Sequence, residues 1–414
     1  MSPPTEAPRA GGLGVALAAT IAIQAFASAA VLLLPAIAPI VAREIGISAH
    51  LIGFQVSLIY LLATLASTIA GVLVSKLGPA RVSQMALLFS MAGVIGLASG
   101  QILPMILASM VMGLGYAGTN PAASDVLNRM TPPHKRNLIF SLKQTGVPIG
   151  GMLVALLMPA LSLAIGWQSA LLVAAAFIGA LMLALERVRP GWDAHKAPDL
   201  PLRANILEGL QLVTQSPPLL ALALMGFLYS AVQLSLVSFV VVMLAQDFGW
   251  TPVEAGFAAA AVQATGIGGR IFWGAVADRT HAGLRILSLI GLITASAATT
   301  LTLAGGWPRF GVIALLCLFS LSSIGWNGVM MAEAARLSPA GRVGPVAGGV
   351  LVLTFLGVVV GPAAFSLLYK LIGSYAHTFG VFALSPLLGA IVIGIGHRLE
   401  RRRSAGKQPS HVRT

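Results

Sequence analysis

Long stretches without any Asp, Glu, Lys or Arg make up most of this sequence, and they constrain its fold more than any other feature. A helix needs about 20 mostly apolar residues to cross the hydrocarbon core of a bilayer. Charge-free stretches of that length or longer recur along the chain: 13–41, 51–74, 82–124, 144–185, 217–245, 286–308, 310–332, 343–369 and 371–397. Charged residues make up 9% of the 414-residue chain, whereas soluble domains carry about 25%. The composition therefore excludes a soluble enzyme and predicts an all-α membrane protein.

Twelve membrane spans account for these stretches. Two of the stretches, 82–124 and 144–185, are about twice the length of a span, so each is interpreted as a helical hairpin, broken near Gly100 and Gly166 respectively. A further span, 252–277, contains Glu254 and Arg270. The predicted spans 1 to 12 are 13–41, 51–74, 82–100, 104–124, 138–162, 167–186, 217–245, 252–277, 284–304, 308–332, 344–369 and 376–397.

The basic residues predict the orientation, because short loops rich in Lys and Arg stay in the cytosol. With the N-terminus inside, all 25 Lys and Arg lie on the cytosolic side except Arg43, Arg309 and Lys370, which lie outside, and Lys143 and Arg270, which lie within spans. The net charge of +13 is then explained by orientation and by contact with membrane lipid, and no nucleic-acid partner is expected. We expect a multi-pass protein of a bacterial-type inner (plasma) membrane with both termini in the cytosol. The first apolar stretch is too long for a cleavable signal peptide.

A polar segment divides the chain into two sets of six spans. In it, the spacing of Leu202, Ile206, Leu210 and Val213 predicts a short amphipathic helix over 202–214 on the cytosolic surface. The predicted organisation is a cytosolic tail (1–12), an N-terminal six-helix bundle (13–186), a cytosolic linker (187–216), a C-terminal six-helix bundle (217–397) and a basic cytosolic tail (398–414).

Each half of the chain contains a loop whose sequence is similar to that of a loop in the other half. The first repeat loop, residues 71–81, reads GVLVSKLGPAR, and the second repeat loop, residues 274–285, reads GAVADRTHAGLR. Spans 4 and 10 also end alike, with Asp125 followed by Thr-Pro and Glu333 followed by Ser-Pro. Internal repeats of this kind are typical of transporters whose halves rock about a central site.

These features resemble the major facilitator superfamily over essentially the full length of the chain. That family carries a loop of the form G-x-L-A-D-R-x-G-R-R after spans 2 and 8. The resemblance implies two six-helix bundles, and it implies a gate in which the acid of the loop caps or pairs with a neighbouring helix end. The gating residues that it implies are Gly71, Gly78, Arg81, Gly274, Asp278 and Arg279.

The first repeat loop departs from the family pattern. Ser75 stands where the acid is expected, and Pro79 and Ala80 replace two basic residues. In span 5, residues 146–151 read GVPIGG, which resembles the exchanger-associated G-P-x-x-G-G with its proline shifted by one position. We interpret this motif first as a site of helix packing and bending.

Two charged residues lie within the predicted spans, and both are basic: Lys143 in span 5 and Arg270 in span 8. All 12 Asp and Glu lie at or beyond span ends. A buried charge without a partner costs several kcal/mol, so the two cations indicate a cavity that binds an anion. The Arg270 guanidinium can bind a carboxylate through two hydrogen bonds, or it can bind helix-end carbonyls as part of the gate. Lys143 and its neighbour Gln144 are further candidate substrate-binding residues, although Lys143 lies nearer the cytosol and could instead snorkel to the interface.

The pattern Arg270-x-x-x-Gly274-x-x-x-Asp278 looks like span 8 of the monocarboxylate and oxalate transporter branches, which implies that Arg270 engages a substrate carboxylate. In the family that this chain resembles, spans 1, 4, 7 and 10 line the cavity. Polar residues within spans are therefore candidate cavity walls, although each could instead form an interhelical hydrogen bond. They are Gln24, Tyr60, Tyr116, Asn120, Tyr229, Gln233, Gln263, Trp326 and Asn327.

Motifs of other protein classes are missing or stand in the wrong context. Gly113, Gly115 and Gly118 fit the dinucleotide fingerprint G-x-G-x-x-G, but they lie inside an apolar span and are interpreted as helix-packing residues. There is no Walker lysine motif, the seven His show no metal-ligand spacing, and Cys317 is the only cysteine. We expect no enzyme activity, no metal and no cofactor.

The favoured hypothesis is a secondary active transporter that moves a small organic anion by alternating access and works as a monomer. The alternative is a proton-coupled exporter of drugs or metabolites, which would need Asp125 or Glu333 as the proton carrier. A membrane sensor is disfavoured, because the sequence shows no soluble signalling domain. Coupling stays open between a proton, carried by Asp125, Glu333 or the substrate itself, and exchange for a second anion.

Overall fold

The computed structural model describes residues 12–132, 135–197, 206–339 and 342–405. Within these ranges all regular structure is helical, which confirms the predicted fold class. The helices of the first half are α1 (Leu13–Ile45), α2 (Ile52–Leu77), α3 (Pro79–Leu97), α4 (Ile102–Met130), α5 (Arg136–Gln144), α6 (Gly146–Ile165), α7 (Trp167–Ala184) and α8 (Arg189–Trp192). Those of the second half are α9 (Ile206–Gln215), α10 (Pro217–Gln246), α11 (Pro252–Thr280), α12 (Gly283–Thr300), α13 (Arg309–Ser323), α14 (Asn327–Leu337), α15 (Val343–Ile372), α16 (Tyr375–Phe382) and α17 (Leu384–Ala405).

Eleven helical stretches in the described ranges are long and apolar enough to cross a membrane, and each corresponds to one predicted span. They are Leu13–Ile45, Ala49–Leu77, Pro79–Leu97, Ile102–Met130, Ile139–Ile165, Trp167–Arg187, Pro217–Gln246, Gly283–Leu303, Arg309–Leu337, Val343–Ile372 and Tyr375–Arg398. The remaining predicted span, 252–277, coincides with α11, a 29-residue helix that carries Glu254 and Arg270. The chain is an integral multi-pass membrane protein, and the count of twelve spans stays a prediction.

Two predicted spans are interrupted shortly before a proline. Span 5 breaks at Thr145, between α5 and α6, and Pro148 follows three residues later. Span 12 breaks at Ala383, between α16 and α17, and Pro386 follows at the same distance. Proline has no N–H for the carbonyl four residues earlier, and its ring crowds that carbonyl. The spans are therefore pairs of helices rather than the single helices that the sequence predicts.

Span 10 is interrupted in a different way. The chain leaves the helical path between α13 and α14, where Gly325 packs against the ring of Trp273 and the carbonyl of Gly269 on α11. A side chain at Gly325 would occupy the same space as these atoms. The break thus lies where two helices of the second half approach each other most closely through glycine.

The chain divides into two compact units. Unit 1 comprises Met1–Ala204 with Val237–Ala264, and unit 2 comprises Asn205–Leu236 with Thr265–Thr414. Unit 1 thus includes a hairpin made of the end of α10 and the start of α11. Within unit 1 this hairpin packs on α6, because Gly256 lies against the carbonyl of Ala155.

Glycines on α4 allow three helices of unit 1 to approach closely. A side chain at Gly113 would collide with the backbone of Ile59 on α2, and one at Gly115 would lie 2.7 Å from the carbonyl oxygen of Ala86 on α3. Small residues serve this purpose in membrane helices. The glycine pattern that matches a dinucleotide motif is therefore a packing surface in this chain.

The predicted amphipathic helix of the linker is α9, and it packs along α15 in unit 2. Gly209 on α9 lies against Gly349 on α15, and a side chain on either glycine would overlap the other backbone. Glu208 forms an ion pair with Arg342 beside this contact. Residues 202–205 of the predicted helix lie outside the described residues. The helix is thus fixed by direct contact with another helix.

Candidate substrate site and repeat loops

Lys143 points into the interior of unit 1 from α5. The residue is 2% exposed. Its Nζ donates a hydrogen bond of 3.0 Å to Oε1 of Gln24 on α1, and a second one to Oδ1 of Asn120 on α4. The side chain therefore turns inward rather than toward the membrane surface, which was the alternative that the sequence left open.

Neutral polar groups continue from Lys143 across α1 and α4. Nε2 of Gln24 lies 3.4 Å from Oη of Tyr116 and donates to it. The ring of Tyr116 packs edge-on against Tyr60, with 5.4 Å between the ring centroids. Four predicted site residues thus form one polar group, called here the Lys143 cluster: Gln24, Tyr116, Asn120 and Lys143.

The hydrogen-bond partners of Lys143 do not balance its positive charge. Both of its hydrogen-bond partners in the described part of the chain are neutral amide oxygens. Among the helices that pack against α5, α6 has no charged residue, and α1 carries Arg43 and Glu44 at its far end. On α4, Asp125 is already paired with Arg129 at 2.5 Å. Because a buried cation needs a counter-charge, the cluster is suited to an anionic ligand.

Two further predicted wall residues of unit 1 take different positions. Gln144 is exposed although its neighbour Lys143 is buried, so these two residues do not share a face of α5. Gln263, on the part of α11 that belongs to unit 1, is 6% exposed and lies against Gly151. Their roles in substrate binding stay predictions.

Unit 2 has a partly buried polar pair of its own. Nδ2 of Asn327, the first residue of α14, donates to Oε1 of Gln233 on α10 at 3.0 Å. Arg270 lies on α11 in the same unit and is half-buried. The structure thus joins Gln233 to Asn327, and it gives unit 2 a cation on one of its long helices.

Tyr229 and Trp326 lie in the apolar core of unit 2. Oη of Tyr229 donates to the carbonyl of Leu287 at 2.8 Å, and Nε1 of Trp326 donates to the carbonyl of Ser323 at 3.0 Å. Their rings pack edge-on with centroids 5.8 Å apart. Because both polar hydrogens are bonded to backbone, a ligand would meet these residues through their rings.

The first repeat loop contacts an acid from another part of the chain. Asp193, which follows α8, is 7% exposed, and its Oδ1 accepts a hydrogen bond of 2.7 Å from the backbone N–H of Ala80. Gly78 has a φ of +91°, and the Asp193 carboxyl fills the place where its side chain would be. The free N–H groups of a helix start and its dipole both favour a carboxylate. The loop with Ser75 in place of the family acid thus receives a carboxyl group from residue 193.

Burial and hydrogen bonding oppose each other at Asp193. Burial raises the pKa of its carboxyl group, while the N–H groups of Ala80 and Arg81 and the charges of Arg189 and Lys196 act in the opposite direction. The effect of burial is the larger one, so the pKa of the Asp193 carboxyl group is raised. Asp193 therefore takes up a proton more readily than an exposed aspartate does.

The other predicted gating residues have more open surroundings. A side chain at Gly71 or Gly274 would meet no atom within 4 Å. Asp278 and Arg279 are exposed. Arg81 donates to Oε1 of Gln84 at 2.9 Å. The close contacts of the repeat loops are thus made at Gly78 and, in the second loop, at Gly283, which the sequence did not single out.

Gly283 lies against a carboxyl group, as Gly78 does. Oε1 of Glu333 occupies the space beside Gly283, the first residue of α12. Glu333 pairs with Arg336 at 2.6 Å, and Arg336 pairs with Glu400 at 2.6 Å. Both residues predicted for proton coupling are thus ion-paired, Glu333 with Arg336 and Asp125 with Arg129.

Sequence reasoning placed Asp193 among the linker acids and gave it no role. One signal was available: α3 begins at Gly78-Pro79, without the Ser, Thr, Asp or Asn that usually caps a helix start. Such a helix needs an acceptor from elsewhere, but nothing local says that residue 193 supplies it. In the described residues, no group of three or more His, Cys, Asp or Glu is placed to hold a metal ion.

Comparison with known proteins identifies the family of this chain. The family model of the Major Facilitator Superfamily matches residues 17–362 and 235–413, so the chain belongs to that family. No curated protein sequence matches the chain.

Two solved structures of the peptide transporter POT are similar to the chain. One is a complex with sulfate, with a TM-score of 0.74 and 15% identity; the aligned part is 93% of this chain and 95% of the POT chain. The other is a mutant in complex with alafosfalin, with a TM-score of 0.75 and 15% identity; the aligned part is 96% of this chain and 97% of the POT chain. At this identity the likeness concerns the fold.

Proposed function

We propose that the chain is a secondary active transporter that moves a small organic anion, a carboxylate, across the inner membrane by alternating access. The observation that carries this proposal is the burial of Lys143 among neutral partners. Its ammonium is held by the amide oxygens of Gln24 and Asn120. A carboxylate that enters the Lys143 cluster would supply the missing counter-charge and form charge-assisted hydrogen bonds.

Arg270 supports the same proposal from unit 2. A guanidinium can hold both oxygens of a carboxylate, and α11 places this one away from the helix ends. Binding of an anion would lower the free energy of those conformations in which the cations are shielded from water. A ligand shifts a conformational equilibrium only through such differential affinity, so neutralisation would couple binding to transport.

The topology is a separate inference, which rests on the distribution of Lys and Arg between the loops. We infer that residues 13–186 and 217–397 form the two bundles, that 187–216 link them in the cytosol, and that both termini are cytosolic. The repeat loops then face the cytosol. We expect one chain to be sufficient for transport.

Coupling by exchange, or by a proton carried on the substrate, is favoured over a dedicated carboxylate carrier. Asp125 and Glu333 each have an arginine partner. Both carboxyl groups are thus already engaged in ion pairs, whereas exchange of one anion for another needs neither of them.

Transport by purified protein in liposomes tests the proposal. Radiolabelled lactate and oxalate are the first probes, and sulfate and alafosfalin are compared with them. We expect saturable carboxylate uptake by the wild type and normal uptake for Lys370→Gln. For Lys143→Gln and Arg270→Ala we expect kcat/KM to fall by about 10- to 150-fold, because each variant loses a charged hydrogen bond worth about 1.5–3 kcal/mol. Lys370 is an exposed lysine and serves as the matched control.

Two results would count against an anion transporter. One is unchanged carboxylate uptake by both cation variants. The other is a broad drug-resistance phenotype in cells that is lost with Asp125→Asn or Glu333→Gln, which would favour the proton-coupled exporter instead.

A further inference from the structure

The chain after α7 is fastened to unit 1 at several points. Besides the bond from Asp193 to Ala80, the backbone N–H of Ala197 donates to the carbonyl of Ser75 at 2.7 Å. Nη2 of Arg129 at the end of α4 donates to the carbonyl of Trp192 at 3.0 Å. These contacts join residues 192–197 to both the first repeat loop and α4. The first part of the linker thus packs as a part of unit 1.

Asp193 is the buried member of these contacts. Its Oδ1 accepts the N–H of Ala80, whereas its Oδ2 is buried without a hydrogen-bond partner in the described part of the chain. Pro79 has no N–H to offer, so Ala80 provides the first donor of α3. Gly78 gives the carboxyl group its place, because any side chain there would overlap it. The turn and the acid fit each other, although they are far apart in the sequence.

The linker has a second attachment in unit 2. There α9 packs on α15 through Gly209 and Gly349, and Glu208 pairs with Arg342. This ion pair is partly exposed, and surface pairs contribute little to stability. The two attachments therefore differ: the one in unit 1 depends on a buried polar group, and the one in unit 2 depends on the packing of glycines.

We propose that Asp193 is the positioning residue of the first repeat loop, and that it keeps the start of the linker attached to unit 1 throughout the transport cycle. The carboxyl group acts on α3 through Ala80 and does not touch the substrate. Its loss frees the first turn of α3 and residues 192–197 together. The proposal rests on the proposed function for its transport readout, and on the described contacts for its structural readout.

Three variants distinguish a helix-capping role of Asp193 from a role of its charge. Asp193→Asn keeps an oxygen acceptor for Ala80, and Asn caps helices as well as Asp does. Asp193→Ala removes the acceptor, and Glu208→Ala is the matched control at the other end of the linker. We expect Asp193→Ala to lower the Tm by about 1–2 °C and to reduce the maximal rate of lactate uptake severalfold at unchanged KM. Glu208→Ala should resemble the wild type. Asp193→Asn should keep the wild-type uptake and a Tm no lower than that of the wild type.

Cross-linking tests whether the attachment persists. Ser75→Cys and Ala197→Cys are combined in a Cys317→Ala background, and a short bifunctional thiol reagent joins them. We expect efficient cross-linking of the folded protein, full uptake after cross-linking, and recovery of uptake when the cross-link is made in the Asp193→Ala variant. A residue that carried a proton would not be replaced by a cross-link.

The outcomes distinguish this inference from the proposed function. If the wild type transports none of the anionic probes, the proposed function fails, and the Tm and the cross-linking yield still test the cap. If Asp193→Ala keeps the wild-type Tm and cross-linking yield, Asp193 does not hold the loop. If the cross-link stops transport by otherwise normal protein, the linker must detach during the cycle and the inference is wrong.

Discussion

The two helices that begin at the ends of the repeat loops, α3 and α12, each start beside a carboxyl group, and the two acids come from different parts of the chain. At the start of α3, Gly78 lies under the carboxyl group of Asp193, which comes from the linker and is buried. At the start of α12, Gly283 lies under the carboxyl group of Glu333, which comes from α14 and is paired with Arg336. The carboxyl group beside the glycine accepts a backbone N–H in one unit and is part of an ion pair in the other. The halves of an internal repeat can thus keep a contact while its residues change.

The polar interiors of the two units differ in charge. The Lys143 cluster surrounds an ammonium group with neutral amide oxygens, whereas Gln233 and Asn327 form a neutral pair in unit 2. Two neutral amides can satisfy each other's hydrogen bonding, whereas a buried cation is stabilised further when an anion binds beside it. Under the proposed function, we expect Lys143 and Arg270 to contribute attraction for the substrate, and the Gln233–Asn327 pair to contribute shape and hydrogen bonding.

Substitution of the loop glycines should give the largest contrast. Gly78→Ala forces an alanine into a left-handed conformation and against the buried Asp193 carboxyl, so we expect a loss of about 2–4 kcal/mol. Gly274→Ala adds a methyl group to open space in a helix, and we expect no loss or a slight gain. Thermal unfolding in detergent measures both. Equal effects at the two positions would show that the Gly78 turn is not constrained.

Double-mutant cycles should separate the two polar interiors. The coupling between Lys143 and Asn120 involves a charged donor and should be about 1.5–3 kcal/mol, whereas that between Gln233 and Asn327 should be about 1 kcal/mol. Lys143→Met, Asn120→Ala, Gln233→Ala and Asn327→Ala, singly and in pairs, provide the cycles in unfolding experiments. A coupling in unit 2 as large as that in unit 1 would remove the contrast in charge.

The two acids at the ends of α4 and α14 should differ in their contribution to stability. Glu333 is 8% exposed and is part of a chain of ion pairs, so Glu333→Gln should cost about 1–2 kcal/mol, reduced by the exposure of Arg336. Asp125 forms an exposed pair within one helix, and Asp125→Asn should cost about 0.5 kcal/mol or less. Unfolding of both variants at low and high salt measures the difference. A larger loss for Asp125→Asn would contradict this ranking.

The pH dependence of stability should report on Asp193 with the smallest effect. Because burial raises the pKa of its carboxyl group, folding favours the protonated form, and this contribution is lost as the pH rises through the raised pKa. Asp193→Asn does not titrate and should therefore gain stability relative to the wild type as the pH rises from about 4, the ordinary pKa of an aspartate, through the raised pKa of the folded protein. Tm values of both proteins across this range measure the gain. A relative loss for Asp193→Asn would mean that hydrogen bonding outweighs burial.

The membrane spans could be predicted because they depend on local composition. The backbone N–H and C=O groups of an apolar stretch must be paired in helical hydrogen bonds wherever the stretch lies in the bilayer. The breaks at Thr145 and Ala383 also have local causes, in Pro148 and Pro386. The break before α14 does not, because it coincides with the packing of Gly325 against α11.

The candidate site could be predicted only in part. Lys143 and Arg270 stand out as charges in apolar stretches, and Gln24 and Asn120 stand out as polar residues. Their hydrogen bonds depend on the rotation of α1, α4 and α5 about their axes, which single residues do not reveal. The hydrogen bond from the Tyr229 hydroxyl to a backbone carbonyl depends on long-range packing in the same way. So does the contact of Asp193 with Gly78.

The most direct test of an anion site at Lys143 is the stabilisation of the purified protein by oxalate or lactate. A ligand that binds the folded state raises the Tm in proportion to the logarithm of its concentration above Kd. We predict saturable stabilisation of the wild type and of Lys370→Gln, and a Kd at least about tenfold weaker for Lys143→Gln, since one charged hydrogen bond is lost. The same stabilisation and the same Kd in Lys143→Gln would contradict the account.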